Sequence, residues 1–437
     1  MKDIPRISKP PTSGKAGEII SRDVDLMSRS YRRAFPLVIK RVEGAVVEDV
    51  NGNSYIDFTS GLGFLPLGGN HPEIVKAIED QLGESSFYNP AAAYHEKFLE
   101  LAEELSRIAP IRGDVRLILC DSGGEAIDLA IKTARWHSGR RVILSFIGEY
   151  HGSVGESLTA STDLKSRRLL ARVSDMLYLP SIDCENCPLG LSSERCGAEC
   201  VEEMRSHVEV VAPDDLAGIV FNPLGLGRGV LARSERYISR LLEAAKDLRA
   251  LAIADEVLTA PARTGRWFAL DRWNAKVDLV CLGSPLASGL PIGVIAARDE
   301  VLDLELGMHD QSGGNLLSIA SAIATLRVIR DEGLVERSER IGRRVLGRLR
   351  DLVEDLELGW RVRGVGMLLG LEVTGERAEE NARMLVNELF RVGLLVWRMG
   401  STILLTPPLN IEEDLLDRGL ELLEEKIREF SRLSRAS

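Results

Sequence analysis

The feature that most constrains the fold is the alternation of short apolar runs with helix-like stretches through the middle of the chain. Each apolar run has the length of a strand and stops at polar or glycine-rich residues, which is typical of buried strands. Such alternation predicts a parallel sheet with helices on both faces and a ligand crevice at the carboxyl ends of the strands. The predicted strands are 116–120, 141–146, 216–221, 250–255, 277–282 and 292–297, and the predicted helices between them are 125–138 and 234–250.

The segments on either side of this alternation predict a different architecture. Residues 1–30 contain scattered Pro, Gly and Ser and predict a loosely structured arm. Residues 35–58 alternate in polarity around two turn signals and predict a small antiparallel sheet. Beyond it, two helices are predicted at 73–82 and 95–108, and another helical stretch runs from 316 to about 356. We therefore expect an N-terminal arm with small-domain strands at 1–60, a large α/β domain at 61–315 and a C-terminal α+β domain at 316–437, which contains a strand at 360–373.

Charge and hydropathy narrow the possible partners. The chain has 437 residues and a net charge of −11, which argues against nucleic acid or an anionic membrane as the main partner. It contains no apolar run of the roughly 20 residues that a membrane-spanning helix needs. The first residues lack the apolar segment of a secretory signal, so we expect a cytoplasmic protein. The preference for Arg and Glu over Lys, Gln and Asn favours a thermophilic source.

A short polar turn follows the first predicted strand of the alternating region. Ser122, Gly123 and Gly124 stand directly before a predicted helix. Free backbone N–H groups and the positive end of the helix dipole would therefore face an anion at this turn. The alternative is an ordinary helix N-cap made by Ser122.

Two other predicted strands end in side chains suited to a ligand site. Asp255 ends the run at 250–255, and a carboxylate buried there without a cationic partner would be costly. We therefore expect a cation or cofactor beside it, the alternative being a helix-capping Asp255 with Glu256 exposed. Tyr150 and His151 follow the run at 141–146, and the alternative there is a buried tyrosine at a capped strand end.

Together these motifs resemble the class III aminotransferases, the ornithine, acetylornithine and 4-aminobutyrate type, from about residue 35 to 430. The resemblance implies fold type I of the pyridoxal phosphate (PLP) enzymes, an α/β fold with a mostly parallel sheet of the seven-stranded type. It also implies a small α+β domain and a homodimer with sites at the interface. In that family the PLP phosphate lies at the turn that corresponds to 122–124, an aromatic ring at Tyr150 beside His151 stacks on the cofactor, and Asp255 pairs with its pyridine nitrogen. Residues 263–265, Arg-Thr-Gly, also match a family element.

The sequence departs from this family at the position that matters most for its chemistry. Ser284 stands where the family has its Schiff-base lysine, and a hydroxyl can neither form an imine nor act as an amine base. Lys276 is the nearest lysine in sequence, but it precedes the strand and so lies at the wrong end of it. The other departures are Gly124 for Ser or Thr, Leu258 for a Gln that contacts the cofactor, Gln311 for a phosphate-capping Thr of the neighbouring subunit, Asn222 and Leu224 for a carboxylate and an amide, and Leu404 for an Arg that grips the substrate.

Four cysteines form a separate signal between two of the predicted strands. The spacing of two pairs suits tetrahedral zinc or another thiophilic metal, and the alternatives are two disulfides or free thiols. Cys120 and Cys281 fall on predicted strands and are expected to be small core residues. The four clustered residues are Cys184, Cys187, Cys196 and Cys200.

Two hypotheses for function follow from the resemblance and its departures. The first is a catalytically impaired homologue that acts as a binding, regulatory or partner subunit, as a homodimer or paired with an active paralogue. It would bind PLP non-covalently or not at all, and an amino-acid-like ligand is compatible with it. The second is an active PLP-dependent aminotransferase or amino-acid racemase whose lysine has been replaced at position 284.

Overall fold

The computed structural model describes residues 4–31, 33–162, 175–184, 187, 189–192, 196–225, 229–303 and 313–436, with side chains up to residue 432. The chain forms two compact units. The central unit comprises Glu73–Glu336, and the terminal unit comprises Met1–Pro72 together with Arg337–Ser437. These divisions fall later in the chain than the boundaries at 60 and 315 that the sequence suggests.

The central unit is built on a sheet of seven strands in the order β4-β12-β11-β10-β7-β5-β6. Its pairs are parallel except where β12 lies antiparallel to β4 and β11. A two-stranded sheet, β8 with β9, accompanies it. The strands are β4 (Val115–Cys120), β5 (Val142–Ile147), β6 (Met176–Pro180), β7 (Leu216–Phe221), β8 (Leu224–Gly225), β9 (Leu231–Ala232), β10 (Leu251–Asp255), β11 (Leu279–Leu282) and β12 (Gly293–Arg298).

Helices cover both faces of this sheet. The alternation of side chains along β10 shows why, since Ala252 and Ala254 join one apolar core and Leu251 and Ile253 join the other. Cys281 is buried in the second of these cores, as expected. Among the described residues, the helices that lie wholly within the unit are α3 (Glu96–Ile108), α4 (Gly123–Ser138), α5 (Gly155–Ala160), α6 (Glu199–Val211), α7 (Glu235–Asp247), α8 (Asp299–Leu302) and α9 (Leu316–Asp331), with 3₁₀ turns at Ala269–Trp273 and Ser284–Ala287.

The terminal unit joins the two ends of the chain through its sheets. One has the order β1-β2-β3-β15, in which β15 lies parallel to β3, and the other has the order β13-β14-β17-β16. The strands are β1 (Ile39–Glu43), β2 (Val46–Asp49), β3 (Ser54–Asp57), β13 (Arg361–Val365), β14 (Leu368–Glu372), β15 (Leu394–Leu395), β16 (Trp397–Met399) and β17 (Thr402–Leu405). The remaining helices of the chain are α1 (Lys15–Leu26), α2 (Pro72–Glu84), α10 (Leu334–Asp355), α11 (Ala378–Arg391) and α12 (Glu413–Ala436).

The mostly parallel α/β sheet predicted from the sequence is confirmed, and three local predictions are wrong. The arm at 1–30 contains α1, because Gly14 is followed by twelve residues that support a helix with Ala16 buried. The helical stretch from 316 breaks into α9 and α10 at Gly333, whose φ is +61°. The strand at 360–373 is an antiparallel hairpin of β13 and β14. Among the described residues, no helix is long and apolar enough to cross a membrane.

Candidate functional site

The predicted site residues of the central unit meet at the carboxyl ends of two neighbouring strands. Asp255 is the last residue of β10, and it lies beside Cys281 of the parallel strand β11. Ser284 follows β11 after a single glycine and opens a 3₁₀ turn. Parallel pairing therefore brings the two positions to the same edge of the sheet, where ligands of such sheets bind.

The buried Asp255 has a partner within the chain. Its Oδ2 lies 2.8 Å from His151 Nδ1, and its Oδ1 accepts a hydrogen bond from Val257 N at 3.1 Å. Asn222 Nδ2 also donates to the Asp255 carbonyl oxygen at 3.5 Å. The sequence suggested that an external cation compensates this carboxylate, but the His151 imidazole already occupies one of its oxygens.

A second buried carboxylate lies behind the imidazole. Glu149 Oε2 is 3.7 Å from His151 Nε2, too far for a hydrogen bond, and accepts from Asn222 N at 2.9 Å. Its Oε1 forms an ion pair with Arg233 and accepts from Ser181 Oγ at 3.2 Å. The side chains of Glu149 and Arg233 are 1% and 2% exposed. We call Asp255, His151, Glu149 and Arg233 the buried charge network.

Two members of this network, Glu149 and Arg233, were missed by the sequence reasoning. Glu149 directly precedes Tyr150 just beyond the end of β5, and Arg233 directly follows β9. The sequence does show a charged residue next to each of these two strand ends. A single charged residue forms no periodic pattern, however, so the apolar pattern that located the strands did not single it out.

The start of α4 lies against the other loops of the site. Ser122 Oγ accepts from Glu125 N at 3.2 Å, so the N-cap predicted as the alternative is present. A Cβ atom on Gly123 would come within 2.4 Å of Val257 Cγ1, and one on Gly283 within 3.3 Å of Gly123 Cα. The helix start, the loop after β10 and the loop before Ser284 are therefore packed closely together.

Gly124 and Gly152 form a second close approach. A Cβ atom on Gly152, whose φ is +144°, would lie 2.9 Å from Gly124 Cα and 2.4 Å from Ser157 Oγ. By contrast, a Cβ atom on Gly124 would meet its neighbours at 3.5 Å or more, which is ordinary contact. The turn therefore has room for the side chain that the resemblance implies at position 124.

The alternatives of a buried Tyr150 and an exposed Glu256 are both wrong. Tyr150 is 52% exposed, although His151 next to it is buried. Glu256 is buried, and its carboxylate accepts from the backbone N–H groups of Ala269 and Leu270 at 3.0 and 2.9 Å. Burial raises the pKa of Glu256 to about 7. Leu258 follows in the same loop and is partly buried.

The described lysines of the central unit lie away from Ser284. Lys76 and Lys97 pair with Asp80 and Glu100 on their own helices, and Lys132 Nζ lies 2.5 Å from Asp128 Oδ2 on α4. Lys246 and Lys276 line a cavity with residues that precede β10 and β11. The position of Lys276 before β11 agrees with the sequence argument that it cannot replace a lysine at 284.

The resemblance also singles out Leu404, Gln311, Arg263 and Thr264. Leu404 is buried in β17 of the terminal unit, where it lies opposite Gly370 of β14. Gln311 lies outside the described residues. Arg263 and Thr264 are buried in the central unit.

The four clustered cysteines are separate thiols in the structure. All six cysteines are free, so the disulfide alternative is wrong. Within the described parts of the chain, no group of three or more His, Cys, Asp or Glu side chains is placed to hold a metal ion. Burial, reinforced by the neighbouring Cys184, Cys196 and Cys187, raises the pKa of Cys200 to about 11. The four thiols thus lie near enough to influence one another, and a metal that bound them would take them as thiolates.

Comparison with known proteins shows a family match over nearly the whole chain. The sequence profile of the family described as "Aminotransferase class-III" matches residues 26–427. A leucine/methionine racemase of Thermococcus litoralis is 33% identical over 421 residues, 94% of this chain and 95% of that protein. An acetylornithine aminotransferase of Archaeoglobus fulgidus is 32% identical and covers 92% of this chain and 99% of its own length. The solved structure of an aminotransferase from Bacillus anthracis is 25% identical, superposes with a TM-score of 0.87 and covers 95% of this chain and 99% of its own.

Proposed function

The chain belongs to the class III aminotransferase family, and from that premise we propose that it binds PLP without a covalent bond and has lost transaminase chemistry. It would then act as a binding, regulatory or partner subunit. The observation that carries the proposal is the composition of the site. A buried carboxylate and a helix start converge on Ser284, and the lysines of the central unit that the structure describes lie elsewhere.

PLP is the cofactor of this family, and residues of the site are suited to contact its phosphate, its pyridine nitrogen and its ring. The start of α4 offers backbone N–H groups to a phosphate at Gly123 and Gly124, where the glycines allow the loops to approach closely. Asp255, oriented by His151 and by Val257 N, would face the pyridine nitrogen, and Tyr150 would lie along the ring. When bound, PLP supplies an electron sink for a carbanion.

The described part of the site has no amine at position 284, where the resemblance implies the group that moves a proton beside that sink. A serine hydroxyl at 284 does not form an imine and is too weak a base to take a proton from a carbon atom. Ser284 is partly buried, and its backbone carbonyl accepts from Gly289 N at 3.0 Å. The site is therefore suited to hold PLP or an amino-acid-like ligand and to leave it unchanged.

The decisive experiment is addition of PLP to the purified chain, followed by borohydride and peptide mass mapping. We expect PLP that leaves on dialysis and no adduct on any site peptide. In Ser284→Lys, we expect a borohydride-fixed adduct at residue 284, while the matched variant Ser288→Lys, one turn further along the same loop, should show none. Amino-group exchange or racemisation by the unaltered chain would overturn the proposal.

An active enzyme is the second candidate, and the relatives named as a racemase and an aminotransferase favour it. It requires an amine that reaches the site from a position other than 284. Incubating the chain with PLP and deuterated water tests it, because any Cα exchange in leucine, methionine or alanine would report proton transfer. The absence of exchange beside a positive Ser284→Lys control would support the first proposal.

We also propose a homodimer, since the resemblance implies sites at a subunit interface. Light scattering of the purified chain at several concentrations tests this. Pairing with an active paralogue is the alternative assembly. It predicts a mixed complex when the two chains are expressed together, with altered activity of the paralogue.

A further inference from the structure

A basic cavity lies at the end of the sheet opposite the Asp255 site. It has a volume of about 500 Å³ and is formed within the central unit. Leu251 and Ala252, the first residues of β10, line it, whereas Asp255 is the last residue of that strand. A strand rises about 3.3 Å per residue, so the two sites are separated by roughly 13 Å along β10.

The lining of the cavity is strongly cationic. It includes one carboxylate, Asp278, and the six cations Arg112, Arg140, Lys246, Arg249, Lys276 and Arg298. A chain with a net charge of −11 thus gathers a formal excess of five positive charges around one cavity. Like charges that line one cavity repel one another unless counter-charges compensate them. Some favourable interaction must therefore offset this repulsion.

Two of the six cations have structural partners in the walls of the cavity. Arg140 Nη1 donates to the carbonyl oxygens of Leu216, Leu248 and Arg249 at 3.1, 2.8 and 3.1 Å. Arg298 Nε lies 3.0 Å from Asp278 Oδ1. These two side chains hold the walls of the cavity together.

The other four cations have no close counter-charge in the part of the chain that the structure describes. For Arg112, Lys246, Arg249 and Lys276, no carboxylate among the described residues lies within ion-pair distance. The carboxyl of Asp271 interacts with Lys276 from longer range, and this attraction lowers the pKa of Asp271 while burial raises it. Asp271 therefore compensates the charge of Lys276 only in part. The cavity therefore retains uncompensated positive charge.

Helix ends explain only part of this excess. Helices α4 and α7 end at Ser138 and Asp247, and cations near a helix carboxyl end gain about 0.3–1 kcal/mol. That accounts for Lys246 in the last turn of α7. Arg112 and Lys276 belong to the connections before β4 and β11, so both lie outside the last turn of a helix, where this effect acts.

We propose that this cavity binds an oligophosphate, either free or as the phosphate chain of a nucleotide. Two or more adjacent phosphates would match several unpaired cations at once, whereas a single carboxylate would match only one. The volume lies within the usual range of small-molecule sites, and Leu242 and Leu251 give one wall an apolar surface. The site is distinct from the Asp255 site, so the inference does not depend on the proposed function.

Calorimetric titration of the full chain with sodium triphosphate, ATP and adenosine tests this inference. We expect saturable binding of triphosphate and ATP at about 150 mM salt, weaker binding as salt rises, and none of adenosine. Tighter binding of ATP than of triphosphate would identify a nucleotide, and equal binding a free oligophosphate.

Substitutions then locate the site. Arg112→Glu with Lys276→Glu should weaken triphosphate binding by at least roughly tenfold, which corresponds to about 1.4 kcal/mol. The matched control is Arg377→Glu with Arg391→Glu, two surface cations of the terminal unit that are 70% and 72% exposed, and it should leave binding unchanged. No saturable binding of either phosphate, or equal weakening by the control pair, would overturn the inference.

Discussion

Asp255 ends β10 and Ser284 follows the end of the neighbouring strand β11, yet the chain holds them in different ways. Asp255 belongs to the buried charge network, in which side chains from several loops bind one another. Ser284 lies in a 3₁₀ turn whose hydrogen bonds join backbone groups, from Gly289 N to Ser284 O and from Leu286 N to Gly283 O. The first half of the site therefore depends on residue identity, whereas the second depends mainly on the path of the chain.

This difference determines how costly each residue is to replace. A side chain in a network of buried charges is costly to replace whether or not it binds a ligand. A side chain on a backbone-supported turn is free to change once its chemistry is no longer needed. The presence of Asp255 and the proposed loss of a lysine at 284 both follow this rule.

The largest effect is expected from breaking the buried charge network. Arg233→Met leaves Glu149 buried without its cation and should lower the free energy of unfolding by about 3–5 kcal/mol. Combining it with Glu149→Gln should recover a large part of that loss, since both charges are then removed. Urea unfolding of the three proteins measures this.

The matched control is Arg240→Met, which removes an exposed partner of Glu243. It should change the free energy of unfolding by less than about 1 kcal/mol. If Arg233→Met costs no more than this control, the Asp255 half of the site is not held by side-chain charges, and the comparison fails.

The next effect is a pH dependence that originates at Glu256, directly after Asp255. Burial raises its folded pKa from 4.5 to about 7, so the folded state binds this proton more tightly than the unfolded state. Its contribution to stability is full below about pH 4.5 and is lost as pH rises through about 7, a change on the order of 3 kcal/mol.

Unfolding of Glu256→Gln between these pH values tests the assignment. The stability of the unaltered protein relative to the variant should fall as pH rises. Glu243→Gln, at a glutamate that is 59% exposed, should show no such trend. A constant difference between the unaltered protein and Glu256→Gln would show that folding does not raise the pKa of Glu256.

A smaller effect distinguishes the two glycines that pack together at the start of α4. Gly152→Ala places a Cβ atom 2.9 Å from Gly124 Cα and should cost about 1–3 kcal/mol. Gly124→Ala meets only ordinary contacts and should be neutral or stabilising by up to about 1 kcal/mol. Thermal unfolding of the two variants measures the contrast, which would be refuted by equal losses.

The smallest effect is expected at the second half of the site. Ser284→Ala keeps the backbone bonds of the turn and should change the free energy of unfolding by no more than about 0.5 kcal/mol. Urea unfolding checks this, with Ser288→Ala as a contrast because Ser288 Oγ lies 2.9 Å from Thr325 Oγ1. A loss above about 1 kcal/mol at Ser284 would mean that its side chain supports the turn.

The sequence predicted the central sheet well because its strands are buried on both faces. Runs such as 216–221 consist almost entirely of apolar residues, and the observed β7 has the same bounds. The edge strand β6 was not predicted, since its residues are only partly buried and carry a weaker pattern. The break at Gly333 was also missed, because apolar spacing continues through both helices.

The site was predictable only where its residues lie next to one another in the chain. Ser122 with Gly123, and Asp255 with Glu256, stand out as local motifs at strand ends. The pairing of Glu149 with Arg233 joins positions 84 residues apart, and no spacing rule connects them. The environment of the four cysteines could not be predicted either, because a metal site and a set of free thiols share the same spacing.

The buried charge network also bears on how such a chain changes over generations. A protein that has lost only Glu149 or only Arg233 should be several kcal/mol less stable. Both residues would therefore have to change together. Ser284 carries no such barrier. Under the proposed loss of catalysis, the residue at 284 would therefore change more readily than Glu149 or Arg233.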